Sequence, residues 1–232
     1  MSHTFFQIEV SAAQRQYAAE LVTHSIRHHT VPNIWDGKAD HSARTYALRM
    51  TGSLGEVLFA DTYQLERKTR AFGAADGQDW GKDFRWHIEE KANGNPNNHK
   101  NTPTPLALNV DIKSMGRDSG VFYGNYVLNI PASQLHKPES QTDCYFCISF
   151  HPKQEHSIAS FIGYVLKNDI LAQKIGIFYP ADTVRKRTDG STFRFYEDTY
   201  EIDFCDFCPP PITDHIRSLA GFRSVVLKSG KC

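Results

Sequence analysis

The chain has 232 residues and is 40% hydrophobic, enough for one sizeable core and little more. Lys+Arg and Asp+Glu balance at 26 each. A dedicated passive nucleic-acid binder typically shows a basic excess, but carboxylates around a metal can offset a basic groove, so the balance decides neither way. No Pro/Gly/Ser-rich linker divides the sequence, so residues 1–232 are expected to form a single domain with loops. The start, MSHTFFQIEVSAAQRQYAAE, lacks the basic opening and long apolar run of a secretory signal. No stretch approaches the roughly 18 apolar residues that span a bilayer. A soluble, cytoplasmic protein is expected, with its five cysteines as thiols or metal ligands rather than disulfides.

Ser11 to about His28 reads as a helix, with Ser11 as its cap and Ala18, Leu21, Val22, Ser25 and Ile26 along one face. Thr30 to Ser42 is a loop carrying Pro32, Asn33 and Gly37. A second helix is expected from about Ala43 to Tyr63, broken or tightened near Gly52 and Gly55. Leu54, Val57, Leu58 and Phe59 form its apolar stripe, and Glu56 lies off that stripe. After Arg70, AFGAADGQDWGKDF is turn chemistry.

Phe84 to Glu89 alternates apolar and polar residues, as a strand does. Asn93 to Pro105 is an irregular polar loop. Leu106 to Ile112 alternates again and is a strong strand candidate. Further strands are expected at 121–130, 143–150, 158–166, 175–179, 192–196 and 200–204. A short helix is placed near 169–173 and a closing helix near 212–220. Two helices, several strands and a helix describe a mixed α/β or α+β domain with a central mixed sheet flanked by helices.

Chemistry concentrates at Asp111-Ile112-Lys113. Two residues apart on a strand, Asp111 and Lys113 share one face, while Val110 and Ile112 point into the core. A metal-assisted phosphodiester hydrolase needs this pairing. The carboxylate helps to hold a divalent cation, and the lysine orients or activates water and steadies negative charge. Hard cations need several oxygen ligands, and Asp83 and Glu56 are the candidate partners. Asp83 heads the strand beginning at Phe84. Pairing of that strand with Leu106–Ile112 would bring Asp83 towards Asp111. Small residues around Gly52 and Gly55 would let the second helix approach the sheet, carrying Glu56 to the same place. Asp76 and Asp79, in the preceding turn, are alternatives to Asp83; a strand-borne ligand is the better fixed.

Glu56 on a helix, Asp83 opening a strand and Asp111-x-Lys113 on the next strand resemble the PD-(D/E)xK nuclease superfamily, which includes most type II restriction endonucleases. The surroundings GSLGE, WGKDF and VDIKS look like that family's, and the likeness in style extends over roughly residues 44–205. Lys82 stands where the family commonly has Pro, and Asp111 where Glu is commoner. The resemblance implies a restriction endonuclease-like core and a Mg²⁺-dependent DNA endonuclease, with Mn²⁺ able to substitute. Glu56, Asp83 and Asp111 would be metal ligands and Lys113 the residue assisting water. It further implies double-stranded DNA as substrate, a homodimer acting on palindromic sites and a cognate DNA methyltransferase in the same system. A structure-specific repair or recombination nuclease of the same superfamily is the alternative enzyme.

Weaker signals complete the reading. For DNA contact, Lys91, Asn98 and Lys100 belong to the loop joining the two catalytic strands, where Asn and Lys suit bases and phosphates. Arg44, Arg49 and the run Arg185-Lys186-Arg187 are further phosphate candidates. Gln134 is placed near the site by the resemblance alone. Cys144-x-x-Cys147 and Cys205-x-x-Cys208 suggest zinc, and with it a zinc-stabilised, non-catalytic nucleic-acid-binding module. Against zinc, cysteines three apart within a strand face opposite sides. His24 and His28 lie one helical turn apart without a third ligand. No P-loop, dinucleotide-binding glycine pattern or nucleophile elbow is present.

Overall fold

A computed structural model describes residues 2–28, 43–69, 82–88, 106–118, 127–186, 192–203 and 206–228. The chain begins with a strand, β1 (Ser2–Glu9), that the sequence reading did not anticipate. Helix α1 (Ala12–His28) follows. Ser11 caps it as expected: Ser11 Oγ accepts from Gln14 N at 3.2 Å, and Gln14 Oε1 accepts from Ser11 N at 2.9 Å. Helix α2 (Ala43–Thr62) runs unbroken through Gly52 and Gly55, contrary to the expected interruption. Its i→i−4 bonding tolerates both glycines because the apolar stripe around them is anchored in the core.

Strands β2 (Phe84–Ile88) and β3 (Leu106–Gly116) form an antiparallel pair, and β3 runs four residues beyond the expected Ile112. Then come β4 (Val127–Pro131), the one-turn helix α3 (Ala132–Leu135), β5 (Cys144–His151) and β6 (Ile158–Leu166). Helix α4 (Lys167–Leu171), β7 (Ile177–Tyr179), β8 (Val184–Lys186), β9 (Thr192–Arg194) and β10 (Thr199–Asp203) follow. The chain closes with α5 (Asp214–Arg217), shorter than the expected 212–220 helix, and β11 (Arg223–Lys228).

The main sheet has six strands in the order β11-β1-β6-β5-β3-β2. Among its described strands only β3 and β5 run parallel, so the sheet is mixed. The β3-to-β5 connection passes through β4 and α3, the kind of crossover that parallel neighbours require. Strand β5 reads CYFCISF with every side chain buried, because it is central and covered on both faces. On one face α1 and α2 pack Ala18, Leu54, Val57, Leu58 and Phe59 against Trp86, Val110, Ile112 and Phe146. On the other, a three-stranded sheet β4-β10-β7 lays Leu128, Ile130 and Ile202 over Tyr145, Cys147 and Val165, with Leu135 and Ile170 from α3 and α4. Strands β8 and β9 form a separate two-stranded ribbon. No helix among the described residues is long and apolar enough to cross a membrane.

Two close approaches depend on glycine. A Cβ on Gly55 would lie 1.8 Å from Ser114 Oγ, so α2 rests directly on the Ser114 side chain of β3 with no side chain of its own at that point. Gly52 has nothing within 4 Å and plays no such part. At Gly163 (φ +127°) the β5–β6 register shifts, and a Cβ there would meet the Cys208 carbonyl at 2.1 Å.

Candidate functional site

The site is built where α2, β2 and β3 converge. Register fixes it first: Phe84 pairs with Val110 and Arg85 with Asn109, so Asp83, one residue ahead of β2, lies beside Asp111. Asp83 N donates to the Val110 carbonyl at 2.7 Å, and Asp83 Oδ2 accepts from Ile112 N at 2.6 Å. Asp83 is therefore held to β3 on both sides of Asp111, by its backbone N–H at Val110 and by its carboxylate at Ile112. Phe84 and Trp86 are buried behind it, as alternation required.

Val110 and Ile112 enter the core beneath the helices, which turns Asp111 and Lys113 to the opposite face. Lys113 Nζ lies 2.8 Å from Asp111 Oδ2 and 3.1 Å from Gln134 Oε1 of α3. It also sits 5.5 Å from the ring centroid of Tyr145, which is paired with Asp111 across the β3–β5 ladder. Burial, and then the Asp111 charge, push the Tyr145 hydroxyl well above its usual range. The site thus holds a lysine clamped between a carboxylate and an amide oxygen over an aromatic floor.

Glu56 arrives from α2 on the helix side. Burial raises its carboxyl to about 7, the Asp83 charge adds to the rise, Lys68 opposes it, and Asp111 adds a little more. Lys68 is the residue that sequence reasoning missed. Its Nζ lies 2.5 Å from Asp83 Oδ1 and 2.9 Å from Glu56 Oε2, and 5.7 Å over the Phe84 ring. Burial works against the Lys68 charge, but Glu56 and Asp83 outweigh it and drive its pKa up. No local pattern announces this contact, since Lys68 is 15 residues from Asp83 in sequence. The usable signal was charge balance: a half-buried pair of acids needs a cation.

Three carboxylates, Glu56, Asp83 and Asp111, therefore share the site with two ammonium groups, Lys68 and Lys113. Among the described residues no three His, Cys, Asp or Glu side chains are gathered as a ready cage for one ion. Between Glu56 and Asp83 it is the Lys68 ammonium that lies where a cation is wanted. Glu56 and Asp83, two carboxylates already facing one positive charge, with Asp111 beside Asp83 in register, are hard oxygen donors of the kind a hard divalent ion takes.

The remaining candidates divide. Gln134 is brought to Lys113. Arg49 lies on α2 with Nη1 3.4 Å from Ser25 Oγ of α1. The side chain of Arg44, and Asp76, Asp79, Lys91, Asn98, Lys100, Arg187 and Cys205, lie outside the described residues. In the basic run, Arg185 turns inward, 2.5 Å from the buried Glu201 and 4.8 Å over Tyr179, whereas Lys186 is exposed. Cys144 and Cys147 belong to the clusters on opposite faces of β5, so they do not present a common zinc site. Cys144, Cys147 and Cys208 are thiols rather than disulfides.

Comparison of the chain with protein-family models, with curated proteins and with solved structures finds no match.

Proposed function

We propose that the chain is a Mg²⁺-dependent DNA endonuclease with a restriction endonuclease-like core, acting as a sequence-specific type II enzyme. The observation that carries this reading is the seating of Lys113 Nζ between Asp111 Oδ2 and Gln134 Oε1, on a strand into which Asp83 is hydrogen-bonded. Supporting it is the order of parts: a helix bearing Glu56, a strand opened by Asp83, an antiparallel partner bearing Asp111 and Lys113, and a crossover to the parallel β5. Glu56, Asp83 and Asp111 are the residues that would hold Mg²⁺, with Mn²⁺ as substitute. When bound, such an ion supplies charge stabilisation at the phosphate and acidifies water.

The chain's own contribution is positional. Lys113, restrained by two oxygen acceptors, presents its remaining N–H to the oxygen of an attacking water or to a phosphate oxygen, where it offsets the charge that develops in line. Asp83, locked by the Ile112 amide, keeps its orientation regardless of substrate. Glu56, reluctant to carry charge in this environment, becomes a good ligand once additional positive charge arrives. The lysine cannot be exchanged for a neutral residue without losing this charge. Products with 5′-phosphate and 3′-hydroxyl ends, a homodimer matched to palindromic sites and a partner methyltransferase belong to the same proposal.

Incubation of the protein with plasmid DNA and Mg²⁺, followed by sequencing of fragment ends, tests it. Discrete ends at one short motif support a restriction enzyme, while structure-dependent nicking would reassign it to a repair or recombination nuclease. Stoichiometric zinc with no Mg²⁺-dependent cutting would overturn the nuclease reading altogether.

A further inference from the structure

Beyond the cleavage centre, the β8–β9 ribbon has features that the nuclease proposal does not use. It belongs to neither of the larger sheets, and it is rooted by its inner face. Val184 pairs with Arg194, Arg185 with Phe193 and Lys186 with Thr192. Side chains of cross-strand partners share a face. The inner face carries Arg185, bonded to Glu201 and stacked over Tyr179, and Phe193, 5.0 Å from Phe195. Phe195 is buried and stacks on Tyr179 at 5.3 Å. The outer face presents Val184, Lys186, Thr192 and Arg194, all exposed, and the alternation continues to Tyr196, 82% exposed.

An aromatic ring this open, two residues beyond Arg194, contributes little to the core. Among the described residues Arg194 pairs with Asp182, a loose 3.4 Å partner, with both side chains largely in solvent. Such a pair contributes little and yields readily to a stronger anion.

The foot of the ribbon is tied to the site. Glu197, next to Tyr196, accepts from Ser133 Oγ at 2.5 Å, and the Asp198 carbonyl accepts from Ala132 N at 2.7 Å. Ser133 adjoins Gln134, whose side chain holds Lys113. A single helical turn, α3, thus joins the ribbon to the lysine.

We infer that the β8–β9 ribbon is a DNA-reading arm that enters the major groove of duplex DNA with the face bearing Lys186, Thr192, Arg194 and Tyr196. Two strands about 4.8 Å apart, with their side chains, suit a groove about 12 Å wide and not one of about 6 Å. Lysine and arginine suit guanine edges and phosphates, and the valine and threonine methyls suit thymine methyls. The inference deepens the nuclease proposal, since it names how that enzyme would hold its substrate, but its test does not require cutting.

The experiment measures binding of a short fluorescein-labelled DNA duplex to the 232-residue chain by anisotropy, with Ca²⁺ in place of Mg²⁺, across a salt series. Lys186→Ala/Arg194→Ala should bind about tenfold or more weakly and lower the log–log salt slope by about 2. Tyr196→Ala should weaken binding several-fold without changing the slope. Arg217→Ala/Arg223→Ala, which removes two exposed charges elsewhere, should match the parent protein. Unchanged affinity and slope in the first double variant, or no duplex binding by the parent protein, overturns the inference. So does equal affinity for duplex RNA, whose deep, narrow major groove cannot admit the ribbon. Ribbon-dependent binding without Mg²⁺-dependent cleavage would sink the nuclease proposal and leave the arm standing; cleavage with ribbon-independent binding would do the reverse.

Discussion

Lys68 Nζ lies 2.5 Å from Asp83 Oδ1, and both side chains are only 10% exposed. The same ammonium reaches Glu56 at 2.9 Å. Removing one member of a pair this enclosed leaves an uncompensated charge, which costs about 3 kcal/mol or more. Lys68→Ala is therefore expected to lower Tm of the metal-free protein by about 8 °C. The more telling expectation concerns Mg²⁺. If Lys68 occupies a place where a cation is wanted, added Mg²⁺ raises Tm of the alanine variant more than that of the parent protein. Calorimetric scans with EDTA and with Mg²⁺ decide it, and equal Mg²⁺ shifts in the two proteins count against the three carboxylates as ligands.

Lys113→Ala isolates catalysis from substrate binding. Lys113 is held by Asp111 and Gln134 rather than buried in the core, so its loss leaves the fold intact. Cleavage of plasmid DNA should fall by about a thousandfold, in line with losing a preorganised charge at the reacting centre. Duplex binding with Ca²⁺ should change less than about threefold, because one phosphate contact is a small part of the electrostatic total. A variant that still cuts at a near-parental rate would displace Lys113 from the proposal.

The pH dependence of stability follows from Glu56. Its carboxyl is raised to about 7, above an unfolded value of 4.5, first by burial and then by Asp83. Between these values the folded chain holds the proton more tightly than the unfolded chain. Stability linked to Glu56 is therefore fully present at acid pH and is lost as pH rises through about 7. Glu56→Gln mimics the protonated form and removes that loss. In EDTA, the Tm of the variant relative to the parent should climb between pH 5 and pH 8, and a flat difference across that range would refute the assignment.

Legibility in the sequence tracks how local the physics is. Asp111 and Lys113 were readable because Val110 and Ile112 alternate with them, and pairing of β2 with β3 followed from two alternating runs across one loop. Ser11 was readable as a cap because its partner Gln14 lies three residues away. Strand β1 was not, because Phe5 and Phe6 are both buried, one in each core cluster, and a strand covered on both faces shows no alternation. Helix α3, four residues long, is too short to show a period, so Gln134 could be placed by resemblance only. The basic run at Arg185 was legible only in part, for a related reason. Sequence cannot say which of two neighbours faces inward, and the ribbon's second cation, Arg194, comes from the other strand. Lys68 depends wholly on tertiary placement.

Gly55 tests whether the approach of α2 to β3 sets the site. A methyl group at this position would lie 1.8 Å from Ser114 Oγ and 3.0 Å from Ser114 Cβ. Gly55→Ala should raise intrinsic helix propensity yet destabilise the protein by about 2 kcal/mol, because overpacking here outweighs the propensity gain of about 1 kcal/mol. Ser114→Ala alone should cost little, since Ser114 Oγ is buried with no hydrogen-bond partner. Combined, the two changes should recover part of the loss, as the Oγ clash is gone while the tighter Cβ contact persists. Denaturant melts of the four proteins give this coupling directly. Because Glu56 is the next residue, plasmid cleavage should fall in Gly55→Ala and return in part in the double variant. Additive stability effects, or full cleavage by Gly55→Ala, would mean that the helix–strand distance at Gly55 does not govern how Glu56 reaches Asp83.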